Sequence, residues 1–103
     1  KESVQKYSLK LVKITQTEID KIDDIIENNS KNWEIKRIAL TDKLVLRIAI
    51  AEMLHIEDVP QKVSISEAVE ISKVFGTKES GPFVNGILDA VYKKINKGEY
   101  ILN

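Results

Sequence analysis

The sequence predicts an all-α protein, a helical bundle, on three observations. Apolar residues recur at the three- and four-residue steps of a helix face from Val4 to Ile95. Pro60, Pro82, Gly76 and clusters such as Asn28 to Ser30 fall where helices start and stop, at the edges of the periodic runs. The one alternation of strand type, Val63 and Ile65, loses to the longer helical pattern that runs through it. With 103 residues, 43% apolar and 31% charged, the chain can bury one modest core and has no room for a second domain.

Val4, Tyr7, Ser8, Leu11 and Val12 define the first stripe, which the stretch from Ile14 to Gln16 is expected to bend or end. Thr17 then offers a cap for a second helix from Glu18 to about Asn28, with Ile19, Ile22 and Ile26 inward and acidic residues in the early turns, where the helix dipole favours them. Asn28, Asn29 and Ser30 stop it. Trp33, Ile35, Ile38 and Leu40 form an apolar connector, expected as a helical turn that packs the indole ring into the core.

From Leu40 to Ile56 apolar residues surround almost the whole circumference of a helix capped by Thr41 or Asp42, so this helix is expected at the centre. Its relief is a stripe of Lys43, Arg47, Ala51 and His55, with Glu52 to one side. Asp58, Val59 and Pro60 break the run. Ser64 and Glu67 have the spacing of a capping box, after which Ile65, Ala68, Val69, Ser72 and Phe75 are expected inward. Gly76 stands where a left-handed terminating residue is wanted. Pro82 needs no amide partner early in the last helix, whose stripe is Phe83, Ile87, Leu88, Val91 and Ile95. Lys93, Lys94 and Lys97 fall near its end, and residues 98–103 are expected to form a frayed tail.

Reaction chemistry has few places to reside. No cysteine is present, which removes disulfides and thiolate ligands, and the lone His55 cannot build a histidine metal cluster. Glu67 and Glu70 share a helix side without a convergent third group and read as solvated surface, while His55 reads as a core-edge or capping residue. Gly76, Gly81 and Gly86 do not match a nucleotide-binding spacing. No catalytic residue, metal or cofactor is assigned, and the expectation is a binding protein that is not an enzyme. No apolar run reaches the roughly 18 residues of a membrane span, and no signal-type stretch opens the chain, so the cytoplasm is the expected compartment.

Sixteen basic and sixteen acidic side chains cancel, so any contact with a nucleic acid has to be local. Residues 1–16 carry a surplus of positive charge and residues 17–34 a surplus of negative. The segment from Lys78 to Phe83 is the best candidate. A lysine, the Ser80 cap and a glycine precede a helix whose first amides can receive a phosphate oxygen, and Phe83 offers a ring face to an unstacked base.

Four runs in order, Asp42 to Glu52 (DKLVLRIAIAE), Asp58 to Val63 (DVPQKV), Glu67 to Gly76 (EAVEISKVFG) and Phe83 to Asp89 (FVNGILD), resemble the NusB family in content and spacing. The resemblance covers roughly Trp33 to Ile95. It implies two small helical subdomains, the amino-terminal one opening with an arginine-rich helix that grips RNA. Nothing from Lys1 to Lys13 reproduces that helix, so the chain is expected to be an excised carboxy-terminal part of the domain. Apolar surface is then expected to lie uncovered, with self-association into a homo-oligomer through the first helix.

The resemblance implies binding without chemistry. The family pairs with a small-subunit ribosomal protein, also called NusE, and the pair holds single-stranded boxA-type RNA on RNA polymerase in an antitermination complex that supports processive rRNA transcription. By position, Asp42 matches an acidic residue that contacts the ribosomal protein, and Glu79 and Phe83 match the loop and helix start near RNA. Lys62, Lys73 and Lys78 are added as phosphate partners. Ala51, Ser66 and Gly81-Pro82 depart from the family pattern, and the last removes a basic pair beside the RNA-facing loop. Asn85-Gly86 is expected to allow a close helix approach with a buried amide. Two rival readings share the fold. One is the RNA-handling appendage of a small-subunit rRNA cytosine methyltransferase, which tends to read FVNAVLR where this chain has Gly86 and Asp89. The other is a plain helical protein-interaction module.

Overall fold

A computed structural model describes residues 2–31 and 34–100. Among them the chain forms five α-helices and one 3-10 turn, with no strand: α1 (Glu2–Thr17), α2 (Ile19–Asn29), the turn Ile35–Arg37, α3 (Leu40–His55), α4 (Gln61–Phe75) and α5 (Ser80–Asn96). The predicted all-α bundle is therefore the fold. The helix α3 packs against each of the other four, and its Leu46 and Ile50 are fully buried beside Ile22 and Ile26 of α2 and Val84, Leu88 and Val91 of α5. Removing one such side chain from water stabilises the fold by about 1.5–3 kcal/mol, so this contiguous cluster is the main source of stability.

Polar ties fix the helices around that cluster. Arg47 of α3 donates two hydrogen bonds, each 2.8 Å, to the two carboxylate oxygens of Asp23 on α2, the planar fork that arginine makes best. The Glu52 carboxylate of α3 accepts from the Tyr7 hydroxyl of α1 and, at 2.6 Å, from the Ser64 hydroxyl of α4. Burial first, and then the bond to Glu52 and its negative charge, push the Tyr7 phenol up to about 12.

Several local expectations are corrected. The first helix continues through Ile14 to Gln16 and ends at Thr17, which is therefore not a cap. Only Glu18 separates α1 from α2, and its amide and carbonyl continue the helical ladder to Ile14 and Ile22, each at 2.9 Å. The inward line of α1 is Tyr7, Leu11, Ile14 and Thr15, whereas Val4 and Val12 face solvent at 62% and 43% exposure. In α2 Ile25 is buried with Ile22 and Ile26. Thr41 and Asp42 lie inside α3, which starts after Ala39 with no side-chain cap. Leu44 and Ile48 are exposed, and Ala51, placed in the polar stripe, is fully buried.

The capping box is also absent. Pro60, in extended conformation, sets the start of α4 three residues before Ser64, which leaves that hydroxyl for Glu52. Phe75 and Val74 point outward at about 70% exposure. The left-handed terminator predicted at Gly76 occurs instead at Gly98, where φ is +79° and the Gly98 and Glu99 amides bond back to Ile95 and Lys94. The tail is not frayed through Tyr100, which packs against the core and accepts a 3.0 Å hydrogen bond from the Asn29 amide. Residues 101–103 and the predicted burial of Trp33 lie outside the described residues.

Candidate functional site

The turn between α4 and α5 is knitted from its own side chains. The Ser80 hydroxyl accepts from the Thr77 amide at 3.0 Å, and the Thr77 hydroxyl donates to the Glu79 carboxylate while accepting from the Glu79 amide, both at 3.3 Å. Gly76 is required by crowding, since a Cβ there would stand 2.2 Å from Ser80 Oγ and 2.8 Å from the Ser72 carbonyl oxygen. The cap residue of α5 is Glu79, and Ser80, the predicted cap, is its first residue, 3% exposed. Ser80 therefore organises the turn, with its hydroxyl committed to a backbone amide.

This turn faces the start of α3 across a cleft of about 260 Å³. One wall carries Thr77, Glu79, Ser80 and Phe83, and the other carries Arg37, Ile38, Ala39 and Asp42. Phe83 is half-buried, its ring shared between the core and the cleft. Asp42 is 8% exposed in the first turn of α3, where the helix dipole favours a carboxylate. Four of the predicted site residues, Asp42, Glu79, Ser80 and Phe83, thus come together although Asp42 is far from the others in sequence. Arg37 was not anticipated. The only available signal was an arginine beside the apolar residues of a short connector, which says nothing of what it faces.

The predicted lysines do not join this cleft. Lys78 is exposed in the turn but does not line it. Lys62 and Lys73 lie on the outer α4–α5 face, Lys62 with its ammonium 5.6 Å from the Tyr92 ring centre and Lys73 paired to Glu70 at 3.2 Å. Asn85 and Gly86 are also exposed, and a Cβ on Gly86 would meet nothing within 4 Å, so the expected close helix approach and buried amide are absent. His55 approaches Glu18 at 3.7 Å, at the far end of α3 from the cleft. No group of three or more potential metal ligands occurs among the described residues, and no helix among them is long and apolar enough to cross a membrane.

Apolar surface is open elsewhere. Leu44 and Ile48 of α3 and Ile71 of α4 line a groove of about 300 Å³ with Glu52 and Glu67 at its edge, and Val4, Leu9 and Val12 of α1 are exposed.

Comparison with known proteins places this architecture. A family model described as the NusB family matches residues 1–93. The "Transcription antitermination protein NusB" of Desulforapulum autotrophicum is 46% identical over 101 residues, covering 95% of this chain and 70% of that protein. The protein of the same description from Chloroherpeton thalassium is 48% identical over 89 residues, covering 86% of this chain, which spans only 42% of that relative's length. The solved T. maritima NusB superposes with a TM-score of 0.89 at 35% identity, over 97% of this chain and 72% of that one. An all-helical core around α3, the ordered run of motifs and these similarities together establish that the chain belongs to the NusB family.

Proposed function

We propose that the chain is the part of a cytoplasmic transcription antitermination factor that presents a surface to RNA and to a protein partner, and that it transforms no molecule. The RNA is a single-stranded, boxA-type rRNA leader sequence, and the partner is the ribosomal protein NusE, held together with the RNA on the transcribing polymerase. The observation that carries this reading is the convergence of Asp42 with Glu79 and Phe83 on one cleft. An aromatic face half out of the core suits stacking of an unstacked base, worth about 1–3 kcal/mol per base. A carboxylate held at a helix start suits a charge-assisted hydrogen bond from a basic side chain of the partner.

The relatives' shared description as antitermination proteins supports the same reading. Gly86 and Asp89 favour it over the methyltransferase appendage. The predicted role of Lys62 and Lys73 as phosphate partners is not adopted, because both stand apart from the cleft with partners of their own. Lys78 is kept only as an exposed charge in the adjoining turn.

The test is fluorescence anisotropy of a labelled boxA-type single strand titrated with the full-length protein, with and without NusE. Specific binding strengthened by NusE and weakened about 10–100-fold by Phe83→Ala is expected. Wild-type affinity in that variant would remove the stacking role.

A further inference from the structure

The geometry points to Arg37 as the residue of this cleft that binds the RNA phosphate, setting the course of the strand past Phe83. This rests on the reading of the cleft as an RNA-binding surface and names the charge contact that reading lacks. A base stacked on Phe83 brings its phosphodiester to the cleft's rim, where an anion needs a cation within hydrogen-bonding reach. Glu79 and Asp42 cannot serve, and Ser80 is uncharged, 3% exposed and has its hydroxyl oxygen occupied by the Thr77 amide. Arg37 is the sole cation among the lining residues.

The two arginines of the chain are differently disposed. Arg47 is consumed by its two 2.8 Å bonds to Asp23. Arg37 is 71% exposed and only loosely ion-paired, its Nε 3.9 Å from the exposed Glu34 and beyond hydrogen-bonding distance, so its planar fork of donors makes no side-chain hydrogen bond among the described residues. Such a fork matches two phosphate oxygens at once, which a lysine ammonium does not. The 3-10 turn holds it in place. Ile38, the residue after it, is buried, and the Arg37 and Ile38 amides bond to Glu34 and Ile35 at 2.9 and 3.2 Å. The backbone under the guanidinium is therefore anchored to the core while the side chain reaches over the rim.

Charge complementarity favours a nucleotide over an acidic peptide. The cleft sets one cation at its rim against two carboxylates, and an acidic peptide side chain could satisfy the cation but brings no donor for the carboxylates. A nucleotide carries its negative charge at one end and amino-bearing base edges at the other, and so matches both.

The experiment measures affinity of the full-length protein, with NusE present, for the labelled boxA-type strand as a function of salt, comparing wild type with Arg37→Gln, Arg37→Lys and Phe83→Ala. Arg37→Gln is expected to weaken binding about tenfold and to reduce the magnitude of the slope of log K against log salt by about 0.7, the signature of one lost phosphate contact on a single strand. Arg37→Lys is expected to keep the slope and lose part of the affinity. Phe83→Ala is expected to lose affinity with the slope unchanged. Because Arg37 is exposed, circular dichroism of its variants is expected to match wild type. If Arg37→Gln keeps the wild-type slope while Phe83→Ala weakens binding, Arg37 does not bind phosphate and the cleft reading survives. If Phe83→Ala and Arg37→Gln both bind as wild type does, or wild type itself does not bind, the cleft reading falls and the Arg37 assignment with it.

Discussion

Replacing Gly76 by alanine isolates the packing of the turn that carries the candidate site. The backbone there is extended, at φ −104° and ψ −160°, so alanine meets no conformational penalty and the whole effect is steric. The new methyl would stand 2.2 Å from Ser80 Oγ, 2.6 Å from Ser80 Cβ and 2.8 Å from the Ser72 carbonyl oxygen. Ser80 Oγ could swing aside only by giving up its bond to the Thr77 amide, and the other two atoms are not chain ends. Two sit on the first residue of α5, and the third already accepts the Gly76 amide at 2.8 Å. Ordinary contacts near 3.5–4.0 Å can be recovered only by moving the start of α5 away from the end of α4 by roughly 1 Å.

Overpacking of this kind costs about 1–3 kcal/mol, and the lower entropy of the unfolded alanine chain returns less than about 1 kcal/mol. A net loss of about 1–2 kcal/mol lowers the melting temperature of a chain this size by about 4–16 °C, measurable by far-ultraviolet circular dichroism. Gly86→Ala is the internal control. Its methyl meets nothing within 4 Å in the middle of α5, and helix propensity alone is expected to stabilise by about 1 kcal/mol. Adding Ser80→Gly to Gly76→Ala removes two of the three clashes and is expected to recover part of the loss. A Gly76→Ala protein as stable as wild type, or two alanine variants shifting in the same direction, would refute the reasoning.

Three further outcomes are expected. Leu88→Ala, at a fully buried position of α5, loses about 2–5 kcal/mol in urea unfolding, the range for a core cavity that does not collapse. The Asp23 and Arg47 side chains are only 22% and 21% exposed and make a two-bond fork, so a double-mutant cycle with alanine gives a coupling of about 1 kcal/mol that weakens with added salt; zero coupling would show the pair to be a surface contact without energetic weight. The phenol of Tyr7 is raised above its unfolded value of 10.0 to about 12, so its contribution is complete below pH 10 and is lost as pH rises from there through 12. Spectroscopic titration is expected to show one of the tyrosines ionising late, and Tyr7→Phe to abolish that late step; a late step surviving in Tyr7→Phe would assign it elsewhere.

The fold class was legible because helical periodicity and helix punctuation agree along the chain. Boundaries were harder, for identifiable reasons. Ser64 and Glu67 satisfy the spacing of a capping box, but Pro60 already sets the helix start, and the Ser64 hydroxyl is used by Glu52, which no local pattern announces. Periodicity marks apolar faces without telling which are covered: Phe75, Val4 and Val12 fit the expected stripes and are exposed, while Ile25 lies beside the expected stripe and is buried. Asn85-Gly86 looked like a packing device because a glycine within a helix usually has one, yet both residues face solvent. Within the candidate site, Ser80 and Phe83 were legible from local sequence, and Asp42 and Glu79 only from position within the family pattern. Arg37 was not, since its relevance exists only once the starts of α3 and α5 face one another.

The carboxylate of Glu52, shared between hydroxyls on α1 and α4, has a dynamic consequence. Were α1 to peel away alone, it would strand a half-buried anion short of a donor, a penalty of the order of 1–3 kcal/mol on top of the lost apolar contact. Release of the first helix is thus coupled to loosening of the fourth, and their backbone amides should exchange with deuterium in concert, as one opening unit.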